Sequence, residues 1–104
     1  MWMFGLKSCD TCRKARKALP DAEFVDVREQ GVPAAVLEAA LDVFGDALIN
    51  TRSTTWRALS DEDRALASLA LLQAHPTVMK RPLIKTDETY HLGWNATTQA
   101  ALKP

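Results

Sequence analysis

The stretch Lys7-Ser8-Cys9-Asp10-Thr11-Cys12-Arg13-Lys14-Ala15-Arg16-Lys17 carries the only two cysteines of the chain, spaced C-x-x-C. Five of its eleven residues are Lys or Arg, and one is acidic. Upstream, Trp2-Met3-Phe4 reads as a short buried strand closed by Gly5. Downstream, Arg13 to Leu19 reads as a helix built from good helix formers. A cysteine at a strand-to-helix turn sits over unpaired N–H groups and the positive end of the helix dipole. With cations nearby, that setting favours thiolate over thiol, and thiolate is the reactive form. The stretch therefore predicts a nucleophilic Cys9, with Cys12 one helical turn on as its resolving partner.

Outside this stretch the composition narrows the choices. At 104 residues there is room for one core, so a single domain over 1–104 is expected. Lys plus Arg and Asp plus Glu both number 13, so the net charge is zero. A nucleic-acid binder that works by neutralising phosphates is usually basic overall, so direct nucleic-acid binding is not expected. The charge is uneven, with the basic cluster at 7–17 set against acidic groups at 21–29 and 61–63, which favours a local anion site. No apolar run approaches the ~20 residues that span a bilayer, and Met1 to Gly5 is too short for a signal peptide. C-x-x-C beside a strand–helix pattern points to thiol chemistry in the cytoplasm. Zinc would need two further ligands, and neither His75 nor His91 lies in a second ligand pair, so no metal is expected.

Taken in order, Glu23-Phe24-Val25-Asp26-Val27 follows the first helix as a half-buried strand, with Phe24 off the strict alternation. Strand, helix, strand is a βαβ unit, a parallel pair with a right-handed crossover. Pro33 suits a first helical position, and Val36, Leu37, Ala40, Leu41 and Phe44 recur at helical spacing before the stop at Gly45. Asn50-Thr51-Arg52-Ser53-Thr54-Thr55-Trp56-Arg57 reads as a loop. Ser60-Asp61-Glu62-Asp63 opens a helix with an N-cap and acids in its first turn, carried on by Leu66, Leu69, Ala70 and Gln73 until His75-Pro76. Leu83-Ile84 and Tyr90-His91-Leu92 read as an antiparallel hairpin about a turn near Asp87-Glu88, and Asn95 caps a helix over Ala96 to Leu102. The order β-α-β, middle helices, β-β-α with C-x-x-C at the first turn is the thioredoxin-like plan. It predicts an α/β fold on a central mixed four-stranded sheet.

Several separated motifs then converge. Cys9-Asp10-Thr11-Cys12-Arg13-Lys14-Ala15, Asn50-Thr51-Arg52, and His75-Pro76 ahead of Arg81-Pro82 resemble the arsenate reductase-like (ArsC/Spx) family over essentially the whole chain. The Asn50 to Arg57 stretch looks most like a small uncharacterised branch suspected of glutathione-dependent thiol reduction. The resemblance implies a thioredoxin-like fold with an inserted helical segment over about 33–75. It places Cys9 where arsenate reductases carry their nucleophile, and Arg52 and Arg81 where they carry oxyanion-binding arginines. Pro82 matches the proline after the second of these. Two positions depart from that pattern. Trp94 stands where those reductases place a third arginine, and Cys12 has no counterpart in the glutathione-coupled enzymes. A C-x-x-C here is similar instead to the Spx-type regulators, which bind RNA polymerase and sense oxidants through the pair.

Guanidinium is always protonated and offers a planar fork of donors suited to carboxylates and oxyanions. Two such groups converging on a thiolate would hold it ionised and bind an anion. The expected catalytic set is therefore Cys9, Cys12, Arg52 and Arg81, with Lys7, Arg13, Thr51 and Pro82 on the substrate-binding side. The thioredoxin-like plan also favours a cis peptide at Arg81-Pro82. The activity implied is that of a cytoplasmic thiol-dependent reductase acting on a small thiol, disulfide or oxyanion. No bound cofactor is expected; glutathione would be the thiol co-substrate, with glutaredoxin or thioredoxin as further electron donors. The alternative is a regulator that docks on RNA polymerase and uses a Cys9–Cys12 disulfide as its switch. Neither reading involves a membrane.

Overall fold

β1 (Trp2–Gly5) is hydrogen-bonded on both sides, which suits its apolar Met3-Phe4 centre. It runs parallel to β2 (Glu23–Asp26), with Trp2 opposite Glu23 and Gly5 opposite Asp26. On its other side it pairs antiparallel with β3 (Leu83–Lys85), which forms an antiparallel hairpin with β4 (Tyr90–Leu92). The sheet order β2-β1-β3-β4 is the mixed four-stranded sheet expected from the sequence. The computed structural model describes residues 1–87 and 89–102. Glu88, expected in the hairpin turn, lies outside them; Thr86 N–H donates to the Thr89 carbonyl across that turn at 2.9 Å.

The chain divides into two compact units, Met1–Gln30 with Arg81–Pro104, and Gly31–Lys80. The first holds the whole sheet, the crossover helix α1 (Asp10–Ala18) and the short helix α2 (Val27–Gln30). α1 turns Ala15 onto Met3 and Ile84 of the sheet, with Leu19 closing the cluster and Phe24 and Trp94 packed at its margin. Removing that apolar surface from water stabilises the unit by about 25 cal/mol for each Å² buried. Phe24 is half-buried, and its ring carries the Arg16 guanidinium 4.1 Å above its centre. The strand ends at Asp26, and Val27 opens α2 instead of extending β2.

The second unit contains α3 (Ala34–Phe44), α4 (Thr54–Ala58), α5 (Asp61–Arg64) and α6 (Ser68–Ala74), with α3 packed on α6. Three expectations need correction here. Pro33 is not the first helical residue: its ψ of 139° is extended, so it caps α3 and Ala34 begins the helix. The Asn50 to Arg57 stretch is not loop throughout, because the Ser53 hydroxyl accepts from Trp56 N–H and starts α4. The helix opened by Ser60 stops after one turn. Arg64 folds back to donate to the Trp56 and Arg57 carbonyls at 3.2 and 2.9 Å, and the chain restarts as α6. That break rotates the buried face onto Leu71 and Leu72 and leaves Leu66 exposed. In the first unit Asn95 caps the last helix, α7 (Ala96–Ala101), as expected, accepting from Thr98 N–H at 2.9 Å. Among the described residues no helix is long and apolar enough to cross a membrane.

Candidate active site

Cys9 is the N-cap of α1. Its carbonyl accepts the first helical bond from Arg13 N–H at 2.9 Å, and its own N–H closes a turn onto the Leu6 carbonyl at 3.1 Å. The side chain is half-exposed and free, whereas Cys12, one turn into the helix, is fully buried. Gly5 makes that burial possible. A Cβ added there would lie 2.5 Å from the Cys12 sulfur, so only glycine lets the thiol seat against the end of β1.

The two thiols respond oppositely. Burial pushes the Cys9 thiol up, but hydrogen bonds from the Cys12 backbone and side chain, then from Arg81 with its charge, outweigh burial. The net result is a thiol below the ordinary cysteine value. Burial pushes Cys12 up to about 12, opposed by a hydrogen bond with the Leu6 backbone and reinforced by its negative neighbour Cys9. The pair is thus split, with the Cys9 thiol made easier to ionise by the hydrogen bond it shares with Cys12 and Cys12 kept protonated by its burial.

Arg81 reaches Cys9 from the segment that enters β3. The Arg81–Pro82 bond is cis, Pro82 is buried, and its carbonyl accepts from Gly93 N–H at 2.8 Å. Gly93 takes a φ of +81°, which glycine tolerates, and the chain then delivers Trp94 to the Met3–Ile84 cluster. Trp94 is thus half-buried against the core cluster of the first unit, at the position where the resemblance looked for an arginine.

Other residues singled out from sequence have different partners. Lys7 Nζ pairs with Glu29 at 3.3 Å. Arg13 is held by the Lys7 carbonyl at 3.0 Å and by Asp10 at 3.2 Å. Thr51 and Arg52 are exposed in the second unit, in a turn where Arg52 N–H donates to the Asn50 side chain at 3.0 Å. Sequence reading passed over two contributors in the first unit, Gly5 beneath Cys12 and Asp26 beside Lys7. Their signals were a glycine ending a central strand, and a carboxylate at the carboxyl end of the neighbouring parallel strand.

A cysteine at a helix start and a cis-proline just ahead of β3, on a β2-β1-β3-β4 sheet, define a thioredoxin-like thiol protein. The chain belongs to the ArsC family, whose model matches residues 4–102. It is 39% identical over 103 residues to an uncharacterized protein of Haemophilus influenzae, with 89% of this chain and 90% of that protein covered. Among solved structures it resembles a YFFB protein with a TM-score of 0.85 and 27% identity, covering 96% of each chain. An arsenate reductase (ArsC) related protein from Brucella melitensis is 30% identical with a TM-score of 0.69, covering 99% of this chain and 94% of that one.

Proposed function

We propose that this protein is a thiol-dependent reductase in which Cys9 is the nucleophile. The observation that carries this reading is the half-exposed Cys9 sulfur at the start of α1, held below the ordinary thiol value by Cys12 and Arg81. Membership of the ArsC family and the likeness to the arsenate reductase related protein of Brucella melitensis support the same class of chemistry.

In the proposed cycle the Cys9 thiolate attacks a substrate sulfur, a Cys9–S bond forms and the other half of the disulfide leaves as a thiolate. A second thiol then attacks the substrate-derived sulfur of that mixed disulfide, which frees Cys9 as a thiolate and leaves the second thiol joined to that half of the substrate. A third thiol attacks this new disulfide, releases the remaining half as a thiol and departs with the second in a symmetric disulfide. The two external thiols thus supply two electrons and Cys9 is regenerated. Glutathione is the proposed second thiol, with glutaredoxin or thioredoxin as alternative donors. A thiol as basic as Cys12 is a weak attacking group at neutral pH and is better suited to hold the Cys9 thiolate by hydrogen bonding. Arsenate is the oxyanion to test first. Arg52 and Thr51 enter this proposal through the family resemblance, and Arg81 and Pro82 through their place at the Cys9 end of the first unit.

The decisive assay measures glutathione-coupled reduction of a small disulfide and of arsenate by the unsubstituted chain, Cys9→Ser and Cys12→Ser. Cys9→Ser should abolish turnover, and Cys12→Ser should retain it when glutathione resolves. Undiminished turnover in both variants would remove Cys9 from the chemistry. Redox-dependent retention of RNA polymerase subunits, without turnover, would instead mark a regulator.

A further inference from the structure

Asp26 is one of two buried polar or charged residues among those described, 7% exposed, and it stands at the carboxyl end of β2. Its register partner is Gly5, so the parallel strands end side by side where the chain leaves β1 for Cys9. One carboxylate oxygen accepts from Lys7 N–H at 3.0 Å. The other accepts from Arg28 and Glu29 N–H at 2.9 and 3.3 Å, as an N-cap of α2 would. Lys7 is then held at every polar group it owns. Arg13 donates to its carbonyl at 3.0 Å, and its ammonium pairs with Glu29 at 3.3 Å. Lys7 lies inside the turn that Leu6 and Cys9 close.

We propose that Asp26 is the positioning residue of this site, anchoring the Leu6–Cys9 turn through Lys7 N–H so that the Cys9 sulfur meets Arg81 and Cys12. This rests on the reading of Cys9 as a thiolate nucleophile. It assigns Lys7 to the frame of the site, through its backbone as well as its charge. The carboxylate matters because one group must accept from three N–H donors on two segments. An ionised oxygen pair does this better than any neutral side chain.

The direction of the effect separates positioning from simple charge. Deleting a nearby negative charge stabilises a thiolate and lowers the Cys9 midpoint, whereas releasing the turn loosens Cys9 from Arg81 and raises it. The test follows iodoacetamide alkylation of Cys9 against pH, read by peptide mass, in the unsubstituted chain, Asp26→Asn and Asp26→Ala. Asp26→Ala should raise the midpoint by about one unit, a loss of about tenfold in thiolate at pH 7. Asp26→Asn, which keeps one acceptor oxygen and the side-chain shape, should fall between. A low midpoint that ignores both substitutions, or drops further, overturns this assignment alone. An ordinary midpoint in the unsubstituted chain overturns the thiolate reading and this one with it. The Lys7 amide proton gives a check that needs no variant. Its NMR shift should titrate on the acid side with Asp26, and a flat shift there refutes the anchor.

Discussion

Cys9 and Cys12 share one helical turn, yet the surface of that turn and its floor impose opposite chemistry. At the surface, Cys9 receives hydrogen bonds from the Cys12 backbone and thiol and from Arg81, which together outweigh its partial burial. At the floor, Cys12 is fully buried against Gly5 and pushed up to about 12. Three residues of separation thus turn a symmetric-looking C-x-x-C into one thiol held below the ordinary value and one pushed far above it. A motif reports spacing, while reactivity follows solvation and charge.

The comparison breaks most visibly at Cys9 itself, whose replacement by serine is expected to take turnover below detection. Next, Arg81→Ala removes a hydrogen bond and a charge from the thiolate. It should raise the Cys9 alkylation midpoint by about one unit, roughly tenfold in thiolate at pH 7. Thiol titration sharpens the contrast directly. The native protein should react at Cys9 only at neutral pH, and both cysteines should react after unfolding in guanidinium. Two fast thiols in the native state would show that Cys12 is not sealed.

Gly5→Ala attacks the floor. Its new Cβ must displace the Cys12 sulfur, so chemical denaturation should show a loss of about 1–3 kcal/mol. Cys12→Ser in that background should recover part of the loss, since the smaller oxygen relieves the clash. The smallest effect belongs far from both thiols. Ser60→Ala removes the α5 cap that accepts from Asp63 N–H at 3.2 Å and should cost about 1 kcal/mol, with Cys9 alkylation unchanged.

Asp26 adds a pH dependence of known sign. The hydrogen bond from Lys7 N–H, then those from Arg28 and Glu29, hold its carboxyl below the usual value in spite of burial. A folded value below the unfolded one stabilises the protein fully above the unfolded value near ~3.9, and the stabilisation is lost as pH falls through the folded value. Asp26→Asn should therefore flatten the acid limb of the stability profile measured by thermal unfolding.

Much of the first unit was legible from residues alone, because its signals are local. The apolar Met3-Phe4 pair closed by Gly5, the C-x-x-C at a strand-to-helix turn, the Leu83-Ile84 and Tyr90-His91-Leu92 hairpin and the Asn95 cap each depend on neighbours a few positions away. The helical middle was less legible. Leu66 and Leu69 continue the spacing set by Ser60, but Arg64 turns back onto the α4 carbonyls and the buried pair becomes Leu71 and Leu72. A long side chain finding a distant backbone acceptor leaves no periodic trace.

The candidate site divides in the same way. By itself the sequence determined that Cys9 would cap a helix beside strong cations, since the cap and the dipole are properties of one short segment. It also determined that a proline would follow Arg81. Only the tertiary structure decided that Arg81 meets Cys9, that Gly5 leaves room for a sealed Cys12, and that Asp26 grips Lys7. Desolvation and long-range hydrogen bonds depend on which segments the sheet brings together, and β1 gathers those segments because it pairs with both β2 and β3.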